Sequence, residues 1–515
     1  MGHTQHARIY KGLAMEPQGK LVEELTQRLA KERILLAADI ELEIIRDIDL
    51  DSLVARIISS SIGSNEFRIV NMSELEKVVH ELKSEKMPMP IEIERATSFR
   101  PIAAEVKERV EIYERHTEPT SGGIDDFISY FRSRLERLEG LLEERARILG
   151  TVILKLSSLG SYASGRDVCI AGMVTSNITT KKGNVMVQLE DETGSAKLIF
   201  INGTSQRARE LFAEARSIVN DEVIAVRGRI SGPFVIANEI LWPDVPIKEP
   251  KDVDEDIAIA FMSDFHVGSK QFMEKNTLKM LDWLNGNVDS KSKELAGKVK
   301  YVIINGDIVD GIGVYPNQEK DLAIPDMYGQ YKLAFDFIGQ IPDYISVFVL
   351  PGNHDVVQRA EPQPRLPKDV VGEFSSNVHL LGNPSFLNLH EIKVLAYHGC
   401  GLDSTINAIP NSSYASPEKA MIELLKRRHL SPIYGGNVIV PSREDNMTID
   451  RIPDILHMGH VHKNGIANYH GVYAVNSGTW QAKTDYQVKL GHTPSPCLLP
   501  VYELKAHRLT TVDFN

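Results

Sequence analysis

The hydrophobic pattern of this chain changes character three times. In the C-terminal half, four short runs at 257–262, 299–304, 344–350 and 392–397 are almost continuously apolar. They show neither the two-residue alternation of a half-exposed strand nor the 3.6-residue stripe of a helix. They read as β-strands of a layered α/β fold. Toward the N-terminus the pattern is helical. Apolar positions recur every three or four residues over 21–29 and 73–82. A longer helix is predicted from Asp125 to Leu149, with Phe127, Tyr130, Phe131, Leu135 and Leu138 as a packing stripe on one face.

The middle of the chain has a third pattern. Short β-type runs at 168–174, 184–189, 196–200, 223–228 and 234–237 are separated by turn residues, with a helical segment at 206–213 between the third and fourth. Five strands with a helix at that place is the order of an OB-fold barrel. Phe200 and Phe234 are read as its core, leaving few aromatics on strand faces, which favours a spacer or protein-docking barrel. The expected fold class is therefore a multidomain α/β protein: a two-sheet α/β sandwich preceded by an OB-fold β-barrel and a small N-terminal helical docking domain. The boundaries read as 1–85 for the helical domain and its N-terminal extension, 86–124 for a linker, 125–246 for the helix plus barrel and 247–515 for the sandwich. The linker rests on the Met87-Pro88-Met89-Pro90 stretch and the Gly122-Gly123 break.

Polar motifs follow the apolar runs. They are Asp264-Phe265-His266, Gly306-Asp307, Gly352-Asn353-His354-Asp355, Tyr397-His398-Gly399 and Gly459-His460-Val461-His462. From Asp264 to Asp307 is 43 positions, on to Asn353 is 46, and on to His398 is 45. Each interval fits strand, helix, strand. In layered α/β folds, ligands gather at the carboxyl ends of such strands, so separate motifs can converge. Singly, each has an ordinary explanation: a turn, or surface histidines. Together, in order and at this spacing, they form the ligand set of calcineurin-like metallophosphoesterases, which the chain resembles here.

On that reading two divalent ions share Asp307 as a bridging carboxylate. Asp264, His266 and His462 take one ion; Asn353, His398 and His460 take the other. Such a pair clamps the attacking and leaving oxygens of an in-line displacement and activates a water. Mixed oxygen and imidazole ligation suits Mn first, with Fe, Zn or Mg as alternatives. His354 is read as the acid that protonates the leaving alkoxide, and Asp355 as the group that orients its imidazole. His379, His390 and His470 belong to no motif and are read as ordinary residues.

Composition adds limits. A chain of 515 residues holds three or four domains. Three cysteines, Cys169, Cys400 and Cys497, lack metal-type spacing and read as buried thiols of a reducing compartment. No run of about 18 apolar residues predicts a membrane span. The first twenty residues lack the apolar region of a secretory signal, and Met15 is an alternative start. The formal charge is −12, whereas proteins that hold nucleic acid through their own phosphate contacts are more often basic. A partner is therefore expected to supply much of any DNA grip. The basic cluster Lys426-Arg427-Arg428-His429 reads as a solvated helix end.

The order helical module, linker, barrel and phosphoesterase, with the 126–132, 306–316, 350–355 and 453–462 segments, resembles the small, exonuclease subunits of archaeal D-family DNA polymerases over nearly the whole chain. The resemblance implies a 3′→5′ proofreading exonuclease, part of a DNA-directed DNA polymerase. Implied partners are the large catalytic subunit and single-stranded or mismatched 3′ DNA ends, with a sliding clamp as a further candidate. The implied location is the nucleoid of a prokaryotic cell. Two other readings are a phosphoprotein phosphatase and a catalytically inert polymerase scaffold. The phosphatase pattern needs an arginine directly after the second aspartate of its Gly-Asp motif; here Gly311 follows Asp310. The inert reading is opposed by the full set of ligands.

Overall fold

The computed structural model of the chain describes residues 17–32, 34–37, 49–59, 68–85, 93–96, 99–115 and 120–515. Met15 and the Met87 to Pro90 stretch lie outside them. The chain divides into two compact units, Met1–Ile91 with Asp326–Asp336, and Glu92–Pro325 with Phe337–Asn515.

In the first unit, helices Pro17–Lys31, Leu50–Ser59 and Met72–Glu85 enclose the two predicted helical stretches. Leu25 and Leu29, Leu53 and Ile57, and Leu75 and Val79 are buried at the four-residue spacing that puts them on one face of each helix. A short parallel pair, Ile34–Leu36 with Arg68–Val70, completes the core.

In the second unit the long helix, Ile124–Ile148, lies within a residue of its predicted ends. The Gly123 N–H donates to Asp126 Oδ2 at its start. Its buried stripe is Tyr130, Arg134, Leu138, Leu142 and Ala146, every fourth residue, with Leu135 beside it. Leu135, Leu138 and Leu142 pack on Cys169, Ala171, Val223, Ala225 and Leu241 of the following strands.

Those strands are Asp167–Thr179, Val185–Asp191, Gly194–Phe200, Val223–Ser231 and Phe234–Leu241, with helix Gln206–Ala215 between the third and fourth. The first pairs with both the second and the fourth, and the third with the fifth, so the sheet closes on itself. Asp191 Oδ1 accepts from the Thr193 and Gly194 N–H groups and shapes the turn between strands two and three. Phe200 is buried in this core, while Phe234 is half-exposed.

Two six-stranded sheets form the remainder. In the first, Val378–Leu380, Ser346–Leu350, Val299–Asn305 and Ala258–Met262 run parallel, followed by antiparallel Leu498–Glu503 and Arg508–Asp513. The second runs Asn464–Tyr469, Val472–Ser477, Ile455–Met458, Ile392–Ala396, Ser385–Leu389, Val110–Tyr113. Alternate residues, Ile259, Phe261, Tyr301, Ile303, Phe348 and Leu350, meet Leu387, Leu389, Val394, Ala396, Ile455 and Val475 between the sheets. On the outer face of the second sheet, Leu395, Tyr397, Leu456 and Met458 pack against helices Gly401–Ala408 and Pro417–Arg427. Burial on both faces explains why these strands read as continuous apolar runs.

One segment differs from the sequence reading. Within the expected linker 86–124, Val110–Tyr113 is an edge strand paired antiparallel with Ser385–Leu389. Its four residues, Val-Glu-Ile-Tyr, alternate only once, too little to stand out from a charged neighbourhood.

Candidate metal centre

The sandwich brings all five motifs to one end of its two sheets. Asp264, Asp307 and Asn353 follow neighbouring strands of the first sheet, and His398, His460 and His462 follow neighbouring strands of the second. The turn at Asp264 is fixed from below. Its carbonyl accepts from the Trp480 N–H at 2.9 Å and the Thr479 hydroxyl at 2.8 Å, and Phe265 stacks on the Trp480 ring.

Asp264, His266, Asp307, His398 and His462 are buried; Asn353, His354 and His460 are half-buried on a cavity of about 330 Å³. His462 Nε2 lies 3.3 Å from Asp264 Oδ1 and 2.9 Å from His266 Nε2. On the other side, Asn353 Oδ1 is 3.1 Å from His398 Nε2 and 3.0 Å from His460 Nδ1. Asp307 Oδ2 stands between the groups, 3.3 Å from His398 Nε2, 3.7 Å from His266 Nε2 and 4.0 Å from His354 Nε2. The seven residues expected as ligands are therefore together, in the two expected groups, with Asp307 touching both.

The donor set suits cations. His398 Nδ1 meets the Asn305 carbonyl at 2.9 Å, and His266 Nδ1 meets Asp310 Oδ1 at 3.1 Å. Those contacts occupy the outer nitrogens and turn each Nε2 inward, the arrangement that fixes ligand tautomers at metal sites. Two glycines make the approach close enough. A Cβ on Gly352 would stand 2.2 Å from Asp307 Oδ1, and one on Gly459 would stand 2.3 Å from Asp264 Oδ2.

Electrostatics without ions follow from this crowding. Burial alone would raise the Asp307 pKa, but His398, His354 and His266 hold it well below the usual carboxylate range. Burial alone would lower the His398 imidazole, but Asp307 pushes it up to about 10. His354 is lowered by burial.

Several partners escape local sequence reading. Asp310 joins His266 to Gln318 and Gln481. Asp403 Oδ2 lies 2.9 Å from His460 Nε2, and the Gln487 amide 2.7 Å from His462 Nδ1. Asp310 has a signal, three positions beyond Asp307 in the same motif; Asp403 and Gln487 have none. The orienting role expected of Asp355 needs correction. His354 Nδ1 lies 2.7 Å from the Asp310 carbonyl, whereas Asp355 Oδ2 accepts from the Gly352 and Ile308 N–H groups and braces the loop. Cys169 and Cys497 are buried, but Cys400 is half-buried with Sγ 3.6 Å from Asn353 Oδ1. Among the unassigned histidines, His379 stacks on Phe348 and His470 Nδ1 meets the Val245 carbonyl, both away from the cluster.

The basic cluster at 426–429 is also corrected. Arg427, Arg428 and His429 are 1–2% exposed. Arg427 pairs with Glu222 at 2.5 Å, Arg428 donates to the Ile449 and Asp450 carbonyls, and His429 Nε2 lies 2.8 Å from Asp445 Oδ2. Asp445 also accepts from Arg134 of the long helix at 2.6 Å.

A family model described as calcineurin-like phosphoesterase matches residues 257–496. The chain is similar to the DNA polymerase II small subunit of Archaeoglobus fulgidus, 45% identical over 383 residues that cover 74% of this chain and 75% of that protein. The subunit of the same name from Methanocaldococcus jannaschii is 40% identical over 412 residues, covering 78% and 68%. That of Methanothermobacter thermautotrophicus is 39% identical over 387 residues, covering 74% and 78%.

Proposed function

Because the chain belongs to the family of DNA polymerase II small subunits and carries a calcineurin-like phosphoesterase domain, we propose that it is the 3′→5′ proofreading exonuclease of a two-subunit replicative polymerase. The observation that carries this reading is the gathering of seven donors at strand ends: His266, Asp307, Asn353, His460 and His462 line one cavity, with Asp264 and His398 buried against them. Asp264, His266 and His462 would hold one divalent ion, Asn353, His398 and His460 the other, and Asp307 both. When bound, such ions supply Lewis acidity and a water of lowered pKa.

The chain's own groups do the rest. His354 faces the cavity through Nε2, while the Asp310 carbonyl occupies Nδ1. A proton on Nε2 is placed for the 3′-oxygen that the shortened strand retains. Burial lowers the pKa of this imidazole, so the proton is readily released. Asp307 Oδ2, 4.0 Å away, favours the charged form before transfer. Asp310 rather than Asp355 positions the ring.

The phosphatase reading loses support at the walls: no Lys or Arg is among the described residues that line the cavity. The closed sheet at 167–241 is read as an OB-type barrel with a spacer role, since the long helix and the buried Arg427–Glu222 pair occupy its outer side. The division at 1–85, 86–124, 125–246 and 247–515 is retained as a functional one, with Val110–Tyr113 of the linker joined to the nuclease sheet. The net charge of −12 fits a chain that relies on its large subunit to hold DNA.

The test is digestion of a single strand labelled at its 5′ end, with Mn²⁺, by the chain with and without its large subunit. A ladder shortened from the 3′ end, formed faster with the subunit, is expected. Internal cuts, or release from the 5′ end, would refute the assignment.

A further inference from the structure

The cavity over the centre, about 330 Å³, is at the small end of the roughly 300–1,000 Å³ usual for ligand sites. Without cationic side chains on its described walls, it offers a strand little beyond the metal donors, except aromatic surface. Tyr414 and His492 line it as a pair, ring centroids 4.3 Å apart and 31° from parallel. Asp403, the carboxylate that meets His460, lines the cavity with them. Tyr315 lines the cavity beside His354, ring centroids 6.5 Å apart, and its hydroxyl donates to Asp321 Oδ2 at 3.1 Å. All three rings are half-exposed. The Tyr315 phenol is tethered by a carboxylate and the Tyr414 ring is backed by His492, which limits the freedom of both rings and leaves their faces as the surface on offer.

We propose that these rings are base-stacking platforms for a single-stranded 3′ end. Every base has a π-face, so stacking grips a strand without reading its sequence, as removal of any misplaced nucleotide requires. In an in-line displacement the leaving oxygen and the departing phosphate lie on opposite sides of the broken bond. Tyr315, beside the proton donor His354, stacks the base of the nucleotide that keeps its 3′-oxygen. Tyr414, backed by His492 on the wall that also carries Asp403 and His460, stacks the base of the nucleotide that departs. This inference rests on the exonuclease reading.

The test uses the full chain assembled with its large subunit and three single strands: intact, abasic at the last nucleotide, and abasic at the penultimate one. Stacking of one base corresponds to about a 5- to 150-fold preference in kcat/KM for the intact end. Tyr414→Leu should collapse that preference at the last position and Tyr315→Leu at the penultimate one. Tyr414→Phe, which keeps the ring and loses only the hydroxyl, should retain it. A second readout needs no cleavage: 2-aminopurine as the last base of a hydrolysis-resistant phosphorothioate end should be quenched on binding, and not by the Tyr414→Leu chain. Cleavage without preference for the intact end in the wild type overturns the platforms and leaves the exonuclease. Quenching without cleavage does the reverse. A preference that survives Tyr414→Leu, or is lost equally in Tyr414→Phe, also overturns the platforms, because the face of the ring is then not what holds the base.

Discussion

Asp307→Asn probes the centre with the least disturbance to its shape. Asp307 Oδ1 accepts the His354 N–H at 2.8 Å, a bond the asparagine carbonyl can keep. The change falls on Oδ2, the atom 3.3 Å from His398 and 3.7 Å from His266. An amide nitrogen there can only donate, so it cannot join two cations. Removing even an outer partner of a metal ligand costs about 10–100-fold in affinity or activity. Loss of the shared carboxylate belongs at or beyond the upper end, so a fall of at least about a hundredfold in 3′-end release is expected. Thermal unfolding of the metal-free chain should remain cooperative.

The same variant has a consequence without metal. His398 is pushed up to about 10 chiefly because Asp307 opposes the effect of burial. With a neutral amide at that place, burial prevails and the imidazole should titrate well below its wild-type value, which histidine NMR can follow. Metal analysis of the dialysed protein then reads ion content directly. Full activity of Asp307→Asn with Mn²⁺ would remove Asp307 from the bridge. An unmoved His398 titration would assign its proton to another carboxylate.

Three other outcomes are expected. His354→Ala should retain both ions but lose about 10²–10⁴-fold on DNA, while a nitrophenyl phosphodiester, whose leaving group needs little protonation, should be largely spared; equal losses on both would make His354 a ligand or a positioning residue. Because His398 of the metal-free chain keeps its proton up to about pH 10, ion loading at pH 8 must release it, so apparent affinity should rise by about tenfold per pH unit below that value, and calorimetry in buffers of different ionisation heat would expose a flat profile. Arg134→Met leaves Asp445, 0% exposed, without its arginine and should cost on the order of 3–5 kcal/mol in urea unfolding; a loss below about 1 kcal/mol would show that His429 and the Met447 N–H satisfy the carboxylate without it.

How much was legible in the sequence depended on how local each signal was. The four apolar runs became central strands because burial on both faces leaves no polar alternation, and the metal motifs stand directly after them. The five expected strands of the closed sheet were visible through turn residues and through the Gln206–Ala215 helix in its expected place; the two-residue strand Ile153–Leu154 that joins them was not. Val110–Tyr113 was not, since an edge strand gains its order from a partner 275 or so residues away rather than from its own pattern. Arg427, Arg428 and His429 looked solvated because a charged run is costly to bury unless paired. Their partners, Glu222, Asp445 and the Ile449 and Asp450 carbonyls, come from other stretches of chain. Asp355 misled for the opposite reason: it adjoins His354 in sequence, yet its carboxylate turns back to the Gly352 and Ile308 N–H groups.

The backbone at the centre explains why those motifs converge at all. Asp264, His266, Asp307, His460 and His462 all have positive φ, between 50° and 69°. For residues other than glycine such conformations cost of order 1–3 kcal/mol each and persist only where the surroundings impose them. Here the motifs impose them on one another. The Asp264 N–H donates to the Gly306 carbonyl at 2.9 Å and the His266 N–H to the Asp307 carbonyl at 3.0 Å. Within the second sheet the Gly459 N–H donates to the His398 carbonyl, and across the sheets the His460 N–H donates to the Asp264 carboxylate. No strand end could hold its ligand in place alone, because each turn relies on hydrogen bonds to the next. The two-sheet core behind them, from Ile259 to Val475, offsets the strain and sets the donors before any ion arrives. Little ordering would then be left to oppose metal binding, and the placing of Asp307 between the two groups of donors follows from the fold.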